Sequence, residues 1–282
     1  MLSYTYTGGF VLLAALLHAA WNAMLHGNRD RFLSISWMAI AIGLVSIVVV
    51  LNTPAPAPAA WPYIVASGLV HIFYNVSLVR SYRRNDLACA YPIARGSSPL
   101  LVTVGAALFA QEAITPLQIL GIVLVSGGII AIAIDGRHVS RAGIIAALTT
   151  GAIIAVYTVI DGIGVRLSGG QAVSYTAWMF LFYLFMPVLF IATRGFSAMW
   201  MPLRSNPGSI VTSLTGGLVS LAAYGIVIWA LQSGAIGAVS ALRETSVVFA
   251  VLIGRLFLGE AVSAKRWIAC VIVALGAVCL GL

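Results

Sequence analysis

The chain has 282 residues, 61% of them hydrophobic and only 8% charged, with a mean hydropathy of +1.06. A soluble domain typically carries about 25% charged residues, so the composition excludes water as the main solvent and implies lipid. The net charge of +8 would suggest nucleic acid in a soluble protein. Here the basic residues lie between apolar runs, where membrane topology accounts for them.

Ten apolar runs follow one another, over about 8–25, 32–51, 61–79, 87–110, 116–134, 142–160, 173–193, 208–231, 236–258 and 263–282. Crossing the ~30 Å hydrocarbon layer takes roughly 20 helical residues. Each run meets or nearly meets that length, and none alternates as a β-barrel strand does. The fold expected is an all-α membrane protein of ten transmembrane helices. The N-terminus lacks a basic segment ahead of its first run, so a cleavable signal peptide is not expected.

In chain order, the runs present polar and aromatic side chains at helical spacing. The first carries His18, Trp21 and Asn22 on one face, and the third His71, Tyr74, Asn75 and Tyr82. The fourth holds Tyr91, Pro92, Arg95, Ser97, Ser98 and Pro99. Proline cannot bond the carbonyl four residues back, so Pro99 frees the Arg95 carbonyl and Pro92 that of Ala88. The sixth aligns Tyr157 with Asp161, the seventh Tyr175 with Trp178, and the eighth holds Tyr224 mid-span. The ninth contains Arg243 and Glu244, whose side chains should diverge by ~100° on a helix and find partners elsewhere. The loop 194–207 is the longest connection, with Trp200 expected at the interface. Cys89, Cys270 and Cys279 form no CxxC or Cys/His cluster and read as packing residues.

Arg95, Arg243 and Glu244 lie near the middle of their runs. An ionisable group there costs roughly 2.5–3.5 kcal/mol on insertion scales. Two readings account for that cost: a ligand site, or an internal ion pair that ties helices together. Aromatic faces on several spans likewise fit either packing or a shared, partly wet cavity.

Twelve of the fifteen cationic residues flank the odd-numbered connections. Only Arg166 lies in an even one, and Arg95 and Arg243 lie within runs. The positive-inside rule then places odd connections in the cytoplasm and both termini outside.

The two halves, 1–138 and 139–282, resemble each other. Arg95 and Glu112 recur as Arg243 and Glu260 at an offset of 148 residues, and Gly128 recurs as Gly276. Five spans per half force the second half to enter from the opposite side, an inverted repeat suited to alternating access. Gly143, Ala147, Gly151 and Ala155 form a ridge for close helix packing, as do Ala15, Ala19 and Ala23. No HExxH, GxSxG, P-loop or paired-carboxylate motif occurs, so no enzyme, metal site, nucleotide or other cofactor is expected.

The segment Tyr91-Pro92-Ile93-Ala94-Arg95-Gly96-Ser97-Ser98-Pro99 with Gln111-Glu112, and its second copy ending in Leu258-Gly259-Glu260, resembles the EamA-type branch of the drug/metabolite transporter superfamily. The second copy departs from the pattern at Val247, where the first has Pro99. The resemblance implies a secondary exporter of small metabolites with a cavity between its halves. Size and aromatics are similar to YddG-like exporters of aromatic amino acids. The expected substrate is a small zwitterion. Arg95 or Arg243 would hold its carboxylate and Glu244 its amine. His71, Tyr74, Asn75, Tyr82, Tyr91, Ser98, Trp21, Asn22, Tyr157, Trp178 and Tyr224 would line the site. A cationic or lipophilic substrate held by Glu244, and a non-transporting sensor or scaffold, are the alternatives. The expected setting is a bacterial-type inner membrane. The expected partners are the substrate and the lipid bilayer, not nucleic acid, and a monomer is compatible with the sequence.

Overall fold

The computed structural model describes residues 2–26, 30–81, 87–134, 141–257 and 259–281. Among them the regular structure is helical throughout, with no strand. The helices are α1 (Leu2–His26), α2 (Arg31–Asn52), α3 (Trp61–Ser81), α4 (Leu87–Phe109), α5 (Pro116–Ile134), α6 (Arg141–Arg166), α7 (Ala172–Phe180), α8 (Phe185–Arg194), α9 (Phe196–Trp200), α10 (Pro202–Ser205), α11 (Pro207–Leu231), α12 (Ile236–Glu244), α13 (Ser246–Phe257) and α14 (Ala264–Gly281). Six helical stretches are long and apolar enough to cross a membrane: Tyr6–Leu25, Arg31–Asn52, Gly143–Arg166, Ala172–Arg194, Pro207–Leu231 and Ile236–Phe257. Ile93–Phe109 and Pro116–Ile132 are shorter apolar helices. Large apolar side chains cover the outside, among them Leu44, Leu69, Phe73, Val104, Val188 and Ile268. Such a continuous apolar exterior suits lipid and would aggregate in water.

Three elements differ from the sequence expectation. The seventh run is not one α-helix: a 3₁₀ turn, Leu181–Leu184, separates α7 from α8. The ninth run breaks at Thr245, whose hydroxyl donates to the Leu242 carbonyl at 2.6 Å. The loop 194–207 contains the short helices α9 and α10, and Trp200 packs edge-on against Trp37 with ring centroids 5.2 Å apart.

Local chemistry sets the helix starts. Asp30 caps α2 by accepting from Leu33 N at 3.2 Å. Thr115 and Gln118 form a reciprocal capping box ahead of α5, with bonds of 3.2 and 3.0 Å. Asn206 caps α11, which has proline in its first turn. Ser263 caps α14 by accepting from Arg266 N at 3.2 Å.

Some local features recur at the same offset of 148 residues. Thr115 corresponds to Ser263, each a cap. Gln111 (φ 53°) corresponds to Gly259 (φ 67°), both in the left-handed region. Glu112 N donates to Ala106 O at 3.3 Å, as Glu260 N does to Gly254 O at 3.0 Å. The packing of α5 on α14 is reciprocal in the same register. A Cβ added at Gly128 would lie 2.6 Å from Val273 and 3.0 Å from the Ala269 carbonyl. One added at Gly276 would lie 2.9 Å from Val125 and 2.8 Å from the Gly121 carbonyl. Residue numbers rise along one helix as their partners fall along the other, so the two helices run antiparallel.

The ridge on α6 also packs as expected. Gly143, Ala147, Gly151 and Ala155 are buried, and a Cβ at Gly151 would sit 3.0 Å from the Ala94 carbonyl of α4. In α1, Ala15 and Ala19 are buried while Ala23 is exposed, which shortens that ridge.

Contacts between connections sort by side. Arg166 pairs with Glu112 and donates to the carbonyls of Leu231 (3.1 Å) and Gly234 (2.8 Å). Glu112 in turn accepts from Ile236 N at 2.9 Å, capping α12. Ala57 N donates to Ser168 O at 3.2 Å. All of these join even-numbered connections. Asp30 pairs with Arg194, joining two odd ones.

Because both glycines at the α5–α14 seam face backbone, Gly128→Val and Gly276→Val should each destabilise the bundle by about 1–3 kcal/mol through overpacking. Gly127→Val, which points into open space, should leave thermal unfolding in detergent unchanged.

Candidate functional site

The buried charges meet at one point. Arg95 on α4, and Arg243 and Glu244 at the C-terminal end of α12, are each at most 2% exposed. Arg95 Nη1 donates to Glu244 Oε1 at 3.2 Å, and Arg95 Nε lies 3.1 Å from Oε2. Arg243 donates to the same Oε1 through Nε (3.1 Å) and Nη2 (2.9 Å). The expected divergence of Arg243 from Glu244 is therefore corrected. The two neighbours bond directly, because α12 ends at Glu244 and long side chains at a helix terminus can fold toward each other. Glu244 also reaches another helix, as expected, through Arg95.

Two guanidiniums around one carboxylate leave an excess positive charge. The Nη1 atom of Arg243 is buried without a hydrogen-bond partner among the described residues. Arg95 Nη2 also contacts His18 Nε2 on α1. The indole N–H of Trp21 lies 3.3 Å from the other ring nitrogen of His18. Arg95 and Arg243 thus hold Glu244 from two helices, with His18 and Trp21 of a third linked behind Arg95.

The backbone near Arg95 shows how a proline is accommodated at this depth. The Arg95 carbonyl freed by Pro99 accepts from the Ser98 hydroxyl at 3.2 Å. Ser98 is thereby committed to backbone repair. In α12–α13 the corresponding break has no proline, and the Leu242 carbonyl accepts from both the backbone N–H and the hydroxyl of Thr245.

Beside the charges stands an aromatic group. The Arg243 guanidinium lies 6.0 Å from the Tyr157 ring centroid, within cation–π range. His71 stacks obliquely on Tyr157 at 4.2 Å and lies 5.5 Å from Tyr224 and 5.8 Å from Tyr183. Tyr74 meets Tyr157 edge-on at 5.8 Å. His71 Nδ1 donates to the Ser67 carbonyl at 2.9 Å, which leaves Nε2 as the acceptor of the neutral ring. One turn from Tyr157, Asp161 accepts from Tyr175 (3.0 Å) and Tyr224 (2.6 Å). Tyr74, Tyr183 and Tyr224 remain half-buried.

The structure therefore gathers Arg95, Arg243, Glu244, Tyr157, His71, Tyr74 and Tyr224, with Trp21 attached through His18. It does not gather all of the expected set. Trp178 packs against Trp61 at 4.8 Å. The Asn22 amide is spent on the His18 carbonyl of its own helix at 2.7 Å. Asn75, buried on α3 one turn beyond His71, does reach the group, beside the Tyr183 hydroxyl. Tyr82 lies outside the described residues, as does the side chain of Tyr91. Tyr183 was not foreseen, because the 3₁₀ turn at 181–184 rotates its face out of the α-helical phase set by Tyr175 and Trp178. Its signal in the sequence is only an aromatic run, Phe180 to Phe185, with no periodicity. Among the described residues no group of His, Cys, Asp or Glu is placed to hold a metal ion.

The family description "EamA-like transporter family" matches residues 141–282. The chain belongs to that family. It is a multi-pass membrane protein of the drug/metabolite transporter type, and that family points to transport rather than catalysis. No curated protein matches the chain. A solved crystal structure, titled only as that of a protein, is similar in fold at 20% identity and a TM-score of 0.73. That likeness spans 98% of this chain and 96% of the other.

Glu244→Gln would strand two buried guanidiniums. Breaking a buried pair costs about 3–5 kcal/mol, so thermal unfolding in detergent should shift markedly downward. Replacing all three charges, as Arg95→Met, Arg243→Met and Glu244→Leu, should recover most of that stability while leaving no anion receptor.

Proposed function

We propose that this family member exports small zwitterionic metabolites, amino acids and among them aromatic ones, by alternating access. The observation that carries this reading is the excess positive charge of the Arg95–Glu244–Arg243 group beside an aromatic wall. The group is an anion receptor at the depth where a transporter holds its substrate. Glu244 orients and partly neutralises the arginines, and Arg243 Nη1 has a donor to spare for a substrate carboxylate. The rings of Tyr157, Tyr74, Tyr183 and Tyr224 offer an apolar side for the substrate's own side chain. In this conformation the charges are buried and mutually paired, so substrate enters when the helices separate.

The architecture proposed is ten spans in two inverted five-helix halves, 1–138 and 139–282. It is supported by the local features that recur at 148 residues and by the antiparallel, reciprocal α5–α14 seam. It is also supported by contacts between connections, which join even to even and odd to odd. A pseudo-twofold axis lying in the membrane plane would exchange α5 with α14 as antiparallel partners, while alternate crossing of the membrane keeps even connections on one side and odd ones on the other. With the cations at odd connections, both termini face outward from a bacterial-type inner membrane. On the same reading, Arg166 and Glu112 fasten the outer end of the bundle.

The test is efflux from proteoliposomes loaded with labelled amino acids. Wild-type protein should carry at least one of them. Arg243→Met should reduce that flux at least tenfold with the protein still folded, since a charge-assisted hydrogen bond is worth about 1.5–3 kcal/mol. Intact protein that carries none of the panel would overturn the reading.

A further inference from the structure

We propose that Asp161 is the ammonium-binding carboxylate of the transport site. This rests on the zwitterion reading above and names the second half of that site. Glu244, the obvious anion in the sequence, is taken up by two guanidiniums. Asp161 is in a different position. It is 0% exposed, yet no cationic side chain lies within ion-pair distance of it among the described residues. Its oxygens accept from two neutral phenols, Tyr175 and Tyr224, and the Ser67 hydroxyl and the His71 ring also face it. A carboxylate offers about four lone-pair sites, so acceptor capacity remains after both bonds are made.

A buried carboxylate with only neutral partners carries a desolvation cost that a cation would offset. The surroundings suit an ammonium group. Tyr157 sits one helical turn before Asp161 on α6, and the Tyr224 ring stands 6.2 Å from it. The faces of such rings attract cations. His71 covers the same space, with Nδ1 engaged by Ser67.

The two ends of the site are complementary to a zwitterion. Arg243 lies over Tyr157 on one side, and Asp161 follows Tyr157 along the helix by ~6 Å of rise. The receptor triad has one positive charge in excess, and Asp161 supplies the balancing negative charge. A ligand with a carboxylate at the first end and an ammonium at the second aligns with that field.

The experiment is efflux of labelled phenylalanine or leucine from proteoliposomes, competed by three matched probes: the amino acid, its des-amino acid, and its decarboxylated amine. In the wild type the amino acid should compete best. Asp161→Asn keeps the shape and an oxygen acceptor but removes the charge. It should weaken competition by the amino acid and the amine about 10- to 100-fold while sparing the des-amino acid. Tyr224→Phe should move the same two probes in the same direction by a smaller factor, and serves if Asp161→Asn does not fold. Equal weakening of all three probes, or no weakening, overturns the assignment. So does a variant that loses only the proton dependence of flux, since Asp161 would then carry a proton and not the substrate. If the wild type carries neither amino acid, the zwitterion reading itself fails, and this assignment with it.

Discussion

The structure depends on one electrostatic constraint: a guanidinium taken out of water must meet a carboxylate or it will not stay buried. Arg95 and Arg243 come from helices in different parts of the chain and are both nearly inaccessible. Glu244 joins them, with bonds of 3.2 Å to Arg95 and 2.9 Å to Arg243. The join fixes α4 against α12 at one depth. It leaves that depth electropositive, because two cations share one anion. A fully neutralised cluster would be a structural tie. A cluster with charge in excess keeps donor capacity for an anion.

The backbone beside those side chains is irregular. Pro99 frees a carbonyl on α4 and Ser98 repairs it. Thr245 ends α12 immediately after Glu244, and its hydroxyl accommodates the break. In lipid a broken helix is tolerated only where the loosened backbone finds a partner. In each case a short hydroxyl side chain at the break provides it. Arg243 and Glu244 thus stand at the end of α12, where the helix is interrupted before α13, and interrupted helices recur where transporters bind substrate.

The same chain is tight at its seams and adaptable at its centre. At α5–α14 and α4–α6, glycines bring backbone against backbone, so association there rests on close packing rather than on apolar burial, which lipid supplies equally to separated helices. Around Tyr157 the neighbours are half-buried rings and hydroxyls that can repack.

Much of this was legible in the sequence. Composition fixed lipid as the solvent, and the length of the apolar runs fixed their helical form, since a backbone in hydrocarbon must satisfy its own hydrogen bonds. The cost of burying ions marked Arg95, Arg243 and Glu244 before any fold was known, and prolines beside Arg95 marked the irregular backbone. Faces read at helical spacing found His71, Tyr74, Tyr157 and Tyr224. Periodicity holds only while the helix does, so the 3₁₀ turn that brings Tyr183 inward and the break that lets Arg243 fold onto Glu244 could not be read from spacing. Nor does a linear pattern say which carboxylate meets which cation. Glu244 and Asp161 are both acids in largely apolar surroundings, and only the packing of α4, α6, α7, α11 and α12 decided that one is saturated by arginines and the other held by two phenols. That decision is tertiary because Coulomb and hydrogen-bond energies depend on distances across helices, which the order of residues along one helix does not contain.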